Sequence, residues 1–125
     1  MSIRAADAFV ALASNQLAAQ VEFYRALLNI EPVPCSDRYA EFRLRGLRLA
    51  IFVPKPDNAS LFAADTSGAM SLCVEIEDLE NAIAHLKAIG HSLNSSIMKA
   101  SHGKEIYVYD PDGNRLILHQ STRLE

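Results

Sequence analysis

The chain has 125 residues, half of them hydrophobic and 22% charged, with a net charge of −3 at pH 7. That length suits one domain able to bury about two-thirds of its unfolded surface without staples, and the mild acidity argues against a general affinity for nucleic acid. No apolar run approaches the ~20 residues that span a bilayer, and no long apolar region follows Arg4 near the N-terminus, so a cytoplasmic protein without membrane partners is expected.

Periodicity along the chain reads as a strand, a helix and three strands, and then the same order again. Asp7 to Ala13 reads as a strand, and Leu17 to Leu28 as an amphipathic helix with Leu17, Val21, Tyr24 and Leu28 on one stripe. Glu31 to Cys35, Arg38 to Leu44 and Leu47 to Val53 follow as strands, the last two joined by a tight turn at Arg45-Gly46. Pro54-Lys55-Pro56-Asp57-Asn58-Ala59-Ser60 cannot continue a ladder and marks a linker. Ala69 to Ile76 reads as a strand, and Asp78 to Ile89 as a helix closed by Gly90 in a left-handed capping position. Ser92 to Met98, Lys104 to Tyr109 and Asn114 to His119 complete the second set. The last two form a hairpin, in which Pro111 pre-sets the first corner and Gly113 takes the left-handed position.

Three words stand in a fixed order. They are Val21-Glu22-Phe23-Tyr24-Arg25 with Leu27 following, Ile76-Glu77-Asp78-Leu79-Glu80 with Leu86 and Gly90 following, and Asp110-Pro111-Asp112-Gly113-Asn114. Together with the repeated order of elements, they resemble the paired modules of the vicinal oxygen chelate superfamily, which includes glyoxalase I, extradiol dioxygenases and bleomycin-resistance proteins. The resemblance spans almost the whole chain. It implies an α+β fold in a single domain, with two βαβββ modules forming a curled mixed sheet around a shared cleft. Module one would run over about 5–54, the linker over 55–68 and module two over 69–120, and a homodimer is the usual state of such proteins.

Strand alternation sorts the side chains between the helix-covered face and the cleft face. Ala8, Val10, Leu12, Leu72, Val74, Ile76, Leu116 and Leu118 read as core. On the opposite phase, ligand contacts are expected at Phe9, Arg48, Ala50, Phe52, Ser71, Cys73, Glu75, Tyr107, Arg115, Ile117 and His119. Asp7, Ala11, Tyr39, Glu41, Arg43, Glu105 and Tyr109 share that phase. Metal-using members of the resembled family place His, Glu or Gln ligands on the first, fourth, fifth and eighth strands. Matching this chain by its own motifs puts Phe9, Ala50, Ser71 and Ile117 at those places, Ile117 being the seventh residue after Asp110. A phenyl, a methyl, a serine hydroxyl and a sec-butyl group cannot replace a cation's hydration shell. No metal and no cofactor are therefore expected.

The other chemistry-bearing residues admit two readings each. Cys35 and Cys73 are too few and too separated for a disulfide framework or zinc knuckle and read as buried thiols, with a reactive Cys73 as the alternative. His85 and His91 read as exposed. His102 is either a solvated loop residue or one that overhangs the cleft, and His119 either faces solvent at the rim or contacts a ligand. Arg43, Arg48 and Arg115 could clamp a carboxylate or be neutralised by Glu41, Glu75 and Glu105. Tyr39, Tyr107 and Tyr109 with Phe9 and Phe52 serve either as an aromatic lining or as core. The expected function is metal-independent binding of a small molecule, similar to the sequestering bleomycin-resistance proteins. The alternatives are a lyase, isomerase or dioxygenase whose site is displaced or metal-free, using Glu75, Glu105, His119 or Cys73 as acid, base or nucleophile, and an interaction module with no ligand. Fold alone does not decide among them.

Overall fold

The computed structural model describes residues 3–63, 68–91, 93 and 95–122. The chain divides into two compact units, Met1–Ala63 and Ala64–Glu125, and among the described residues each holds one mixed sheet and one α-helix. The fold class is α+β.

In the first unit, β1 (Val10–Ala13), α1 (Leu17–Leu28), β2 (Tyr39–Leu44) and β3 (Leu47–Phe52) build a three-stranded sheet in the order β1-β3-β2. β1 lies parallel to β3, with Val10 opposite Leu49, and β2 runs antiparallel to β3 through the turn at Gly46. Leu17, Gln20, Val21, Phe23 and Tyr24 are buried along α1, a stripe at helical spacing that adds Gln20 and Phe23 to the expected one and leaves Leu28 only half-buried. The Tyr24 ring meets Phe23 edge-on at 5.0 Å and lies 6.2 Å from Phe42 of β2. Ala40, Phe42, Leu49 and Ile51 complete this core, and each large apolar side chain taken from water contributes about 1.5–3 kcal/mol. The helix ends at Asn29, whose left-handed φ of 57° lets its N–H reach the Arg25 carbonyl.

Three expectations for this unit are corrected. β1 starts at Val10 rather than Asp7, because its register with β3, carried back, would set Asp7 against Gly46 in the turn. Ala8 is accordingly exposed, not core. The expected strand Glu31 to Cys35 shrinks to a single bridge between Cys35 and Ala40 plus a Val33 N–H bond to the Glu41 carbonyl, since Pro32 and Pro34 bring no donor to a ladder. In the linker, Pro56–Phe62 forms a 3₁₀ helix with proline in its first turn; residues 64–67 of the linker lie outside the described residues.

In the second unit, β4 (Leu72–Glu75), α2 (Leu79–Ala88), β5 (Met98–Ala100), β6 (Gly103–Tyr109) and β7 (Arg115–Ser121) give a four-stranded sheet in the order β4-β7-β6-β5. Asp78 caps α2 by accepting from the Asn81 N–H at 3.0 Å, and the Gln120 side chain reaches over from β7 to accept the Leu79 N–H at 2.7 Å. Gly90, at φ 98°, closes the helix, with the next N–H, of His91, bonding back to Leu86. Leu79, Leu86, Ile106, Val108, Leu116 and Leu118 form the core. The β6–β7 turn is tied by Asp110, whose Oδ1 accepts the backbone N–H groups of Asp112 and Asn114 at 2.9 Å each. The strand expected over Ser92 to Met98 instead begins at Met98, where pairing with Glu105 starts; Ser92 and Asn94 lie outside the described residues.

Candidate functional site

The open face of the second sheet is written by two rungs of its ladder. Cys73, Ile117 and Tyr107 are successive partners across β4, β7 and β6, and Glu75, His119 and Glu105 are the next such row. Side chains two residues apart on a strand share a face, so the hydrophobic alternation that buries Leu116 and Leu118 sets Ile117 and His119 on the other side. Both cysteines are exposed rather than buried. The Cys73 thiol is pushed above its usual range by partial burial and by the carboxylates of Glu75 and Glu105.

Glu75 is the best-connected acid on this face. Its Oε1 takes a bond from His119 Nδ1, and its Oε2 accepts the Ser121 hydroxyl at 2.8 Å. Burial opposes its ionisation, but the Ser121 and His119 bonds outweigh that and hold its carboxyl below the usual carboxylate range. A carboxyl that ionises more readily folded than unfolded favours the native state above the unfolded pKa, and this support is lost as pH falls through the folded value. The melting temperature of Glu75→Gln should therefore fall below wild type at neutral pH, with the gap closing in acid, below the usual carboxylate range. A gap of the same size at both pH values would assign the effect to shape, not charge. On the far side of His119, Nε2 lies 3.0 Å from His102 Nδ1. The sequence offered no local sign of this pairing.

Arg115, on the same face of β7, donates from Nε to Ser71 Oγ at 2.6 Å and from Nη2 to the carbonyls of Gly68 and Met70 at 2.9 and 3.3 Å. At the end of the sheet, where Glu75 and Ser121 meet Lys99, Lys104 and Thr122, there is a pocket of about 640 Å³. Lys104 is also 3.6 Å from Glu80 of α2.

The open face of the first unit centres on Glu41, which is 5% exposed. It accepts the Tyr39 hydroxyl at 2.9 Å and faces Arg43 Nη2 at 2.9 Å and Arg48 Nη1 at 3.8 Å. Burial, and then the Glu41 carboxylate, hold the Tyr39 phenol above its usual range. Arg48 also binds Asp7 at 2.6 Å and lays its guanidinium 4.2 Å over the centre of the Phe9 ring. The Ala8 N–H and then Arg48 hold the Asp7 carboxyl low. Ala50 is buried between Ala11 and Glu41, and Phe52 is half-buried with its ring edge-on to Phe62 at 5.3 Å.

The four positions matched from the sequence to metal ligands, Phe9, Ala50, Ser71 and Ile117, hold an exposed phenyl under a guanidinium, a buried methyl, a hydroxyl accepting from Arg115, and a half-buried aliphatic side chain. These groups do not fit a divalent cation. Among the described residues, no cluster of three or more His, Cys, Asp or Glu side chains could hold a metal ion. No described helix is long and apolar enough to cross a membrane.

Residues 8–118 match the family model of the Glyoxalase/Bleomycin resistance protein/Dioxygenase superfamily. Among solved structures, the chain is similar to a glyoxalase-related enzyme from Fulvimarina pelagi, at 24% identity over 92% of this chain and 87% of that one, with a TM-score of 0.74. It is similar to protein ATC0852 from Agrobacterium tumefaciens, at 26% identity over 92% and 96% with a TM-score of 0.74. A fosfomycin resistance protein from Listeria monocytogenes shares the fold at 18% identity over 96% of both chains, with a TM-score of 0.75. With that match running over residues 8–118, the chain belongs to the Glyoxalase/Bleomycin resistance protein/Dioxygenase superfamily.

Proposed function

We propose that this protein binds a small anionic ligand, flat or partly aromatic, without a metal ion, and does so as a cytoplasmic homodimer. The observation that carries the reading is where its arginines sit. In the first unit Arg48 covers Phe9, and in the second Arg115 grips Ser71, so a fixed guanidinium stands in each at a position that the family resemblance matches to a metal ligand. A guanidinium offers an oxyanion a positive charge and paired donors with no need for coordination chemistry. Phe52 and Tyr107, on the same strand phases, supply aromatic surface.

Thermal shift with benzoate and with benzamide tests this, because the two differ mainly in charge. Benzoate should raise the melting temperature and benzamide should not. A charge-assisted hydrogen bond contributes about 1.5–3 kcal/mol, so Arg48→Ala or Arg115→Ala should weaken benzoate binding at least about tenfold. If both variants keep the wild-type preference, or wild type has none, the arginines are only braces. About one equivalent of zinc, nickel, manganese or iron surviving dialysis would overturn the metal-free part.

A further inference from the structure

A second feature of the open face of the β4-β7-β6-β5 sheet goes beyond ligand binding and does not depend on it. Glu75, His119 and His102 form an unbroken hydrogen-bonded chain, with the two imidazole rings 5.1 Å apart between centres and tilted by 33°. Its proton positions follow from chemistry. Glu75 is ionised at neutral pH and can only accept, so His119 donates from Nδ1. Nε2 of neutral His119 is then bare and must accept the Nδ1–H of His102. His102 Nε2 is left as a lone pair on an exposed residue.

The chain is held in place by backbone. Gly103 follows His102 and pairs with Ser121 at the end of the β6–β7 ladder, and the Thr122 N–H bonds to the His102 carbonyl at 3.0 Å. Around the relay, Glu105 stands opposite His119 across the β6–β7 ladder, and Cys73 precedes Glu75 on the same face of β4. Lys99 and Lys104 pair on β5 and β6 in the other strand phase, with Lys104 directed to Glu80. The charged groups nearest the relay on its own face, Glu75 and Glu105, are carboxylates, which favour a positive charge developing on His119, while Arg115 stands farther along β7, turned to Ser71 and the carbonyls of Gly68 and Met70.

We propose that Glu75, His119 and His102 are a proton relay that makes His102 Nε2 a general base, suited to small uncharged molecules with an acidified C–H bond such as enolisable carbonyl compounds. His102 Nε2 takes the proton, and the electron pair of the broken bond stays on the substrate as its conjugate base. His102 passes its Nδ1 proton to His119 Nε2, and the imidazolium formed there is stabilised by the Glu75 carboxylate. Returning the proton to a different substrate atom completes an isomerisation and restores the relay. His102 is the catalytic residue, while His119 and Glu75 position and polarise it. An imidazole base needs a bond already weakened by an adjacent carbonyl or heteroatom, which is why the class is carbon acids.

The probe is 5-nitrobenzisoxazole, in which loss of one ring C–H proton breaks the N–O bond and releases a coloured cyano-nitrophenolate. Wild type should open it, and His102→Ala should lower that rate at least about tenfold. Because His102 is exposed, this variant should fold, which circular dichroism checks. Nitrogen-15 NMR of labelled histidines should find both His102 and His119 protonated at Nδ1 and bare at Nε2, and Glu75→Gln should release His119 from that tautomer while lowering the rate. A rate unchanged in His102→Ala, or a proton on His102 Nε2 in the neutral wild-type protein, would overturn the proposal.

Discussion

Leu118→Glu should cost the protein about 4 kcal/mol or more and lower its melting temperature by more than about 10 °C, whereas Ile117→Glu one residue earlier should be tolerated. Leu118 is fully buried in the core that α2 shares with β7. A carboxyl there loses its hydration and gains no partner, so it must either stay protonated or unfold the unit. Ile117 is half-buried on the open face, between Cys73 and Tyr107. A glutamate at that position can turn toward water. The triple change Ile117→Glu, Ser71→His and Phe9→His should also be milder than Leu118→Glu, since Phe9 is exposed and Ser71 lies outside the strand core. Equal melting temperatures for the triple variant and Leu118→Glu would mean that the two faces of β7 have been exchanged.

Gly103→Ala is the second substitution expected to act strongly, with a cost of about 2–3 kcal/mol. A Cβ at this position would stand 2.2 Å from the Gln120 carbonyl oxygen and 3.0 Å from the Ser121 Cα, both backbone atoms that cannot swing away. Its φ of 148° adds strain for any residue with a side chain. The only relief is to splay the end of the β6–β7 ladder, and that end carries the Thr122 bond to His102. The variant should therefore lose stability and, in the fraction that stays folded, the contact between the two imidazoles. Chemical denaturation and histidine NMR measure the two effects separately. Wild-type values for both would show that the ladder end is loose enough to absorb a methyl group.

Much of this was legible in the sequence because alternation is a local property. The runs Ile106-Tyr107-Val108 and Leu116-Ile117-Leu118 announce which side chains are buried, and the Asp110 to Gly113 turn sets their register. Burial of the cysteines was misjudged by residue type, although the phase of Ser71, Cys73 and Glu75 already put Cys73 on the open face. The strand expected over Glu31 to Cys35 failed on its prolines, which are themselves a sequence signal. The His102–His119 contact was harder. It joins residues 17 apart and depends on the ladder continuing past Lys104 to Gly103, which only a register count back from the turn would have suggested. The engagement of Arg48 by Asp7 was hidden because Asp7 lies outside its strand, where alternation gives no guidance.

In each unit the first strand lies beside the last and runs parallel to it, β1 with β3 and β4 with β7. The chain thus enters a sheet at one end of this pair and leaves it at the other. Tension applied along the polypeptide would pull these two strands, one at the sheet's edge and one inside it, past each other lengthwise, loading all their cross-strand bonds together instead of peeling them one by one. Each sheet is built to resist stretching in shear, a mechanical property that follows from the helical crossover between parallel neighbours and owes nothing to the side chains on its open face.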